Sequence, residues 1–140
     1  FQEEMKMKAT VDSFNIIVST IGCILGGFLG NMDGILYALV IFVILDYVTG
    51  VLYAVEEKKL SSAVGYEGIA RKVTIFILVG IANILDSYIL GQSGVLRAVV
   101  IFFYLSNEGI SILENATELG LPVPEKLKNI LNQLTKKEGE

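Results

Sequence analysis

Residues 34–55 read GILYALVIFVILDYVTGVLYAV, 22 residues that carry a single charge, Asp46. As a helix this stretch rises about 33 Å, enough to cross a hydrocarbon core of about 30 Å. So apolar a run suits a lipid environment and not the surface of a small soluble domain. The rest of the 140-residue chain agrees: 53% of its residues are hydrophobic and only 19% are charged, against about 25% in a typical soluble domain.

Two more stretches of spanning length follow. Residues 69–90 are headed by Arg71 and Lys72 and carry Asn83 and Asp86, and residues 94–113 carry Arg97 and Glu108. Before residue 34 lies FNIIVSTIGCILGGFL, residues 14–29. Alone it gives about 24 Å of helix, but borrowing neighbours makes it long enough, and the span is set at about 14–32. Lys6 and Lys8 ahead of it suggest a secretory signal, but no A-x-A-like cleavage site follows, so the run is read as a span. Cys23 within it reads as a small hydrophobe. Short joins at 30–33, 56–68 and 91–93 make sequential antiparallel neighbours.

The expected fold is therefore all-α and integral to the membrane, with four transmembrane helices, or three if the first run does not cross. Residues 1–13 form an N-terminal segment, 14–113 the transmembrane domain and 114–140 a wetter tail. In the tail Gly120, Pro122 and Pro124 stop one helix and start another. Leu127, Ile130, Leu131 and Leu134 then recur at i, i+3, i+4, i+7, an amphipathic helix flanked by Lys126, Lys128, Lys136 and Lys137. It should lie on the membrane surface or against a partner.

The positive-inside rule orients the four spans. Lys6, Lys8, Lys58, Lys59, Arg71, Lys72, Lys126, Lys128, Lys136 and Lys137 fall on one side and Arg97 alone on the other. Both termini are thus expected in the cytoplasm. If the first run does not span, the N-terminus moves outside and the rest keeps its orientation.

Polar residues inside spans are costly and so carry information. Asp46, Thr49, Gly50 and Tyr53 share one stripe of the second span. Asn83 and Asp86 neighbour each other near the outer end of the third, where a plain interfacial location also explains Asp86. In the fourth, Arg97, Tyr104, Asn107, Glu108, Ser111, Glu114 and Asn115 fall within one arc of the helical projection. Such a stripe suggests a water-facing surface or a hydrogen-bonded subunit seam; an internal polar core, with Glu108 meeting a basic residue, also satisfies it. Gly22, Gly26 and Gly30 place small residues on one face of the first span, suited to close helix contact within a subunit or between copies.

Enzymatic signatures are missing. The chain has no histidine and one cysteine, and neither a G-x-S-x-G elbow, a P-loop nor a dinucleotide fingerprint. The reading is of a non-enzyme with no cofactor or metal. Its basic residues follow topology and form no nucleic-acid patch.

Three stretches carry a resemblance. The first is Asp46-Tyr-Val-Thr-Gly50. The second runs from Ser61 and Ser62 through Gly65, Gly68, Arg71 and Lys72 to Val73, expected as a cytoplasmic loop leading into the third span. The third is Phe103-Tyr-Leu-Ser-Asn107-Glu108-Gly-Ile-Ser111-Ile-Leu-Glu114-Asn115, continuing to Gly120-Leu-Pro122-Val-Pro124-Glu-Lys-Leu. Over residues 34–134 the chain resembles the phage-lysis and toxin-secretion holins. The resemblance implies a small protein that accumulates in the cytoplasmic membrane, assembles with copies of itself, and opens lesions through which an endolysin, or a large toxin lacking a signal peptide, passes as cargo. Other readings remain: an ion channel or transporter subunit, a lipid-head-group enzyme with Glu56, Glu57 and Glu67 as its ligands, or a membrane scaffold.

Overall fold

A computed structural model describes residues 1–91 and 94–136. Five α-helices follow one another: α1 (Gln2–Leu29), α2 (Gly34–Glu56), α3 (Ser62–Ile84), α4 (Val95–Glu118) and α5 (Glu125–Lys136), with α3 running on into a π-helical turn at Leu85–Leu90. Four helices are long and apolar enough to cross a membrane: α1, α2, the continuous Ser62–Leu90 segment and α4. Residues 92 and 93 of the expected third join, and the tail beyond residue 136 with Lys137, lie outside the described residues.

Caps set the boundaries. Asp33 accepts from the Leu36 amide at 3.0 Å and starts α2. Ser61 sits in extended backbone and accepts from the Val64 amide at 3.2 Å. That cap starts α3 at Ser62, so Ser62, Gly65 and Gly68, expected in a loop, form the first two turns of a helix. The connection shrinks to residues 57–61. At its other end α4 continues past 113 to Glu118, then stops at Gly120, whose φ of +86° suits a residue without Cβ. Residues 2–13 extend the helix of the first span instead of preceding it, with Thr10 and Ser13 donating to carbonyls four residues back.

α4 is the hub. It packs along α2 and also touches α3 and α5. Leu36, Leu39 and Val43 of α2, Ile75 and Val79 of α3, and Ile101 and Leu105 of α4 form one buried cluster. α1 packs against α3, touches α4 only where Arg97 reaches the Leu29 carbonyl, and buries none of its residues. Its attachment is confined to its last turn, where Phe28 lies over Gly80. A Cβ at Gly80 would enter the Phe28 ring. Gly80→Val should therefore push α1 from α3 at an overpacking cost of about 1–3 kcal/mol. A disulfide between cysteines placed at 27 and 83 should form in the parent and fail in the variant; equal yields would show that the Phe28 contact does not hold α1.

α5 folds back along α4. Leu131 is buried at the Gly109 surface beside Phe42, and Leu134 packs on the edge of the core cluster. Half of the tail's apolar stripe is thus covered within the chain, while Leu127 and Ile130 remain exposed.

Candidate functional site

The polar residues of α2, α3 and α4 gather into two sites, one at each end of the apolar cluster. The first, called the inner site after the side to which the charge bias of the sequence points, forms around Lys72. Its ammonium bridges the carboxylates of Asp46 and Glu108. Asn115 donates to Asp46 Oδ1 at 3.2 Å and to Thr49 Oγ1 at 3.0 Å, tying α4 to α2. Gly50 lies under this bridge, where an added Cβ would sit 3.7 Å from Asn115 Nδ2. Asp46 and Glu108 are buried, and Lys72 is nearly so.

A carboxylate at a helix centre costs about 2.5–3.5 kcal/mol on membrane-insertion scales. One ammonium shared by two carboxylates recovers part of that cost and leaves a formal charge of −1. Lys72 lies ten residues into α3, about 15 Å along its axis. Its charge is therefore interior and does not simply mark the end of a span. Arg71 beside it points outward and pairs with Glu67 at 2.7 Å.

Two clefts open on this triad. One, of about 280 Å³, runs between the inner ends of α2 and α3 and includes Asp46, Lys72, Ser111 and Asn115. Gly65 and Gly68 form part of its wall, and Gly68 lets Tyr47 approach α3 closely, since an added Cβ there would fall 3.3 Å from the tyrosine ring. The other, of about 350 Å³, passes Tyr104, Asn107 and Glu108. Tyr104 also stands edge-on to Phe103, with ring centres 5.1 Å apart.

The outer site forms around Arg97. Its guanidinium donates to the Leu29 carbonyl at 2.6 Å, the Asn31 carbonyl at 2.7 Å and Asp33 Oδ2 at 2.8 Å. These include carbonyls that a helix end leaves without partners. Gly30, at φ +85°, makes the turn beneath Arg97, where a Cβ would lie 2.7 Å from Nε. Asn83 donates to the Phe28 carbonyl at 3.1 Å. Asp86 is buried and accepts from the Leu96 and Arg97 amides at 3.1 and 2.7 Å, capping α4.

The hydrogen bond from Arg97 holds the Asp33 carboxyl below its ordinary value near 3.8, against a smaller opposing effect of desolvation. A lowered folded value adds stability above the ordinary value and loses it as pH falls through the lowered one. Attachment of α1 at this end should thus weaken on acidification below about pH 3.8, modestly, because Asp33 is partly exposed. Solvent exchange of the Asn31 and Asp33 amides followed from pH 6 to 3 checks this; Asp33→Asn should flatten the profile, and a profile unchanged by that substitution would remove Asp33 as its source.

The single arc on α4 is therefore divided. Arg97 serves the outer site, Glu108 and Asn115 the inner one, Ser111 and Tyr104 line clefts, and Asn107 and Glu114 are exposed. Gly22 and Gly26 meet nothing within 4 Å, and Gly30 has a different setting at the end of α1. The sequence reading did not single out Asp33 or the buried Ser106, which donates to the Leu131 carbonyl at 2.6 Å. Asp33 carried a signal, being an acidic residue directly before an apolar run, the pattern of a helix cap. Among the described residues no group of three or more His, Cys, Asp and Glu is placed to hold a metal.

A family model described as "Bacteriophage holin family" matches residues 23–136. An uncharacterised protein of Listeria monocytogenes is 46% identical over 119 residues, covering 85% of this chain and 84% of that one. A 14.9 kDa protein of Clostridium perfringens is 39% identical over 120 residues, 86% of this chain and 91% of its own. A probable holin of Bacillus phage phi105 is 40% identical over 81 residues, 58% of this chain and 59% of the phage protein. No solved structure matches the chain. With a family match that takes in both charge sites and the hub helix between them, this chain belongs to the bacteriophage holin family, whose members are non-enzymatic membrane proteins.

Proposed function

We propose that this protein acts as a holin: copies accumulate in the cytoplasmic membrane with the C-terminus in the cytoplasm, associate, and open lesions that let an endolysin, or a toxin lacking a signal peptide, leave the cell. The observation that carries the reading is the Asp46–Lys72–Glu108 triad on three apolar helices of a chain with this family membership. Ionised groups in a span favour exchange of lipid-side burial for water whenever a rearrangement offers it. In the single subunit the triad is closed on itself. Crowding supplies alternative neighbours, and a shift of α4 against α2 and α3 turns the same groups toward an aqueous gap. The unoccupied Gly22 and Gly26 face of α1 gives two copies a place for close contact.

Expression beside an endolysin that cannot cross the membrane unaided tests the function. Abrupt loss of turbidity requiring both proteins is the expected result. Depolarisation without endolysin release would instead support a narrow ion channel, a reading favoured by the two clefts that meet at the triad. Glu108→Gln removes the excess charge while keeping the shape, and should shift the time of lysis by at least about a third with membrane insertion unchanged. Lysis at the parental time would detach Glu108 from triggering.

A further inference from the structure

α5 is an unusual companion for a membrane span. Its Leu131 carbonyl accepts from Ser106, and the Leu131 methyl groups fill the space left open by Gly109. Ser106 lies twelve residues before the end of α4 and Gly109 nine, about 18 and 14 Å along the axis. If α4 spans, about 30 Å of its length is hydrocarbon-facing; with residues 94–113 as that length, Ser106 and Gly109 sit about 10 and 6 Å inside its end. Yet the face of α5 turned away from the bundle carries Glu125, Asn129, Asn132 and Gln133, with Lys126 and Lys128 at its flanks, and those residues are exposed. Unpartnered amides and ammonium groups do not face lipid at that depth.

We infer that α5 is re-entrant, docked on α4 through Leu131 and Leu134 within the cytoplasmic half of the bilayer, with its polar face fronting a water-filled vestibule. Water is preferred over a second copy of α5 because two such faces brought together in parallel would set Lys126 and Lys128 against their own equivalents. The vestibule would accept hydrated solutes entering from the C-terminal side and place water beside the hub helix before any lesion opens. The inference rests on α4 as a span in the proposed orientation, and it does not depend on endolysin release.

The test uses the full chain in inverted inner-membrane vesicles, on a Cys23→Ser background. Two readouts are needed. Gly109→Cys with Leu131→Cys should form a disulfide on mild oxidation, and Phe42→Cys with Leu131→Cys reads the same docking from α2 should the first pair fail to insert. Asn132→Cys should react with a charged, membrane-impermeant maleimide at least tenfold faster than Ile44→Cys, an exposed residue on α2. Crosslinking together with fast labelling is the expected outcome. Crosslinking without labelling would overturn the vestibule, and labelling without crosslinking in either pair would overturn the re-entrant docking and return α5 to the cytoplasm. Extraction of the parent chain by alkaline carbonate would instead fail the span itself, a result separate from both.

Discussion

Lys72→Met is expected to destabilise the bundle by about 3–5 kcal/mol, the usual cost of stranding a buried charge by removing its partner. Lys72 is the only cation in contact with Asp46 and Glu108 among the described residues, and its side chain is 18% exposed, so water offers the two carboxylates little relief. Such a loss lowers the folded population by roughly two to three and a half orders of magnitude at 1.4 kcal/mol per decade. The triple replacement Lys72→Met, Asp46→Asn, Glu108→Gln should recover most of it, because an uncharged substitute for a buried ion cluster is often neutral or stabilising. Asn at position 46 also keeps a polar group beside Asn115. Unfolding in mixed micelles of dodecyl maltoside and rising SDS, followed by helical circular dichroism, measures all three proteins. A single variant that unfolds at the parental SDS fraction would mean that the carboxylates are solvated in the parent, and the triad would lose its structural role.

Arg97→Leu should release α1 while leaving α2, α3 and α4 assembled. The arginine serves two carbonyls and one carboxylate that α1 and its following turn contribute. Leaving a half-buried acceptor unpaired costs about 1–3 kcal/mol each, and α1 has no buried residue of its own to offset that. Hydrogen exchange should accelerate through residues 27–33 by more than about tenfold, with the core residues of α2 and α4 protected as before. Uniform loss of protection would instead make Arg97 essential to the whole bundle, and unchanged protection would leave Phe28 on Gly80 and the Asn83 hydrogen bond to the Phe28 carbonyl as the anchors.

The apolar runs made the four long helices legible, because length and hydrophobicity suffice to identify a candidate span. Boundaries were less so. Residues 56–68 lie between two apolar runs and read as a join, yet Glu67 pairs with Arg71 at i,i+4 on a helix surface, and the Ser61 cap carries that helix back to Ser62. Of the candidate site, the polar residues were visible and their partners were not. Asp46 and Glu108 are evident as carboxylates in need of company, but Lys72 counts as a topological charge and as part of the motif stretch, not as their partner. Spacing along one helix says which residues share a face, and nothing about which face of another helix meets it. Asp86 is the plainest case. Near a span end it reads as an interfacial residue, whereas the π-helical turn aims it into the start of α4. The fold-back of α5 had no counterpart in the periodicity, since a stripe of Leu127, Ile130, Leu131 and Leu134 fits lipid and protein equally well.

The two charge sites also bear on how the helices can slide. Leucine, isoleucine and valine surfaces in lipid are nearly interchangeable from one turn to the next, so an apolar bundle alone has several registers of similar energy. On α4 the two sites are eleven residues apart, Arg97 to Glu108, about 16 Å. Arg97 meets Asp33 just before α2, whereas Glu108 meets Lys72 of α3 and Asn115 meets Asp46 within α2. A slip of α4 by one turn, 5.4 Å, therefore uncouples both ends in the same movement, and no intermediate register keeps one while losing the other. The helices are keyed like a lock with two pins on one shaft, so axial displacement of α4 is expected as a discrete step and not as a gradual drift.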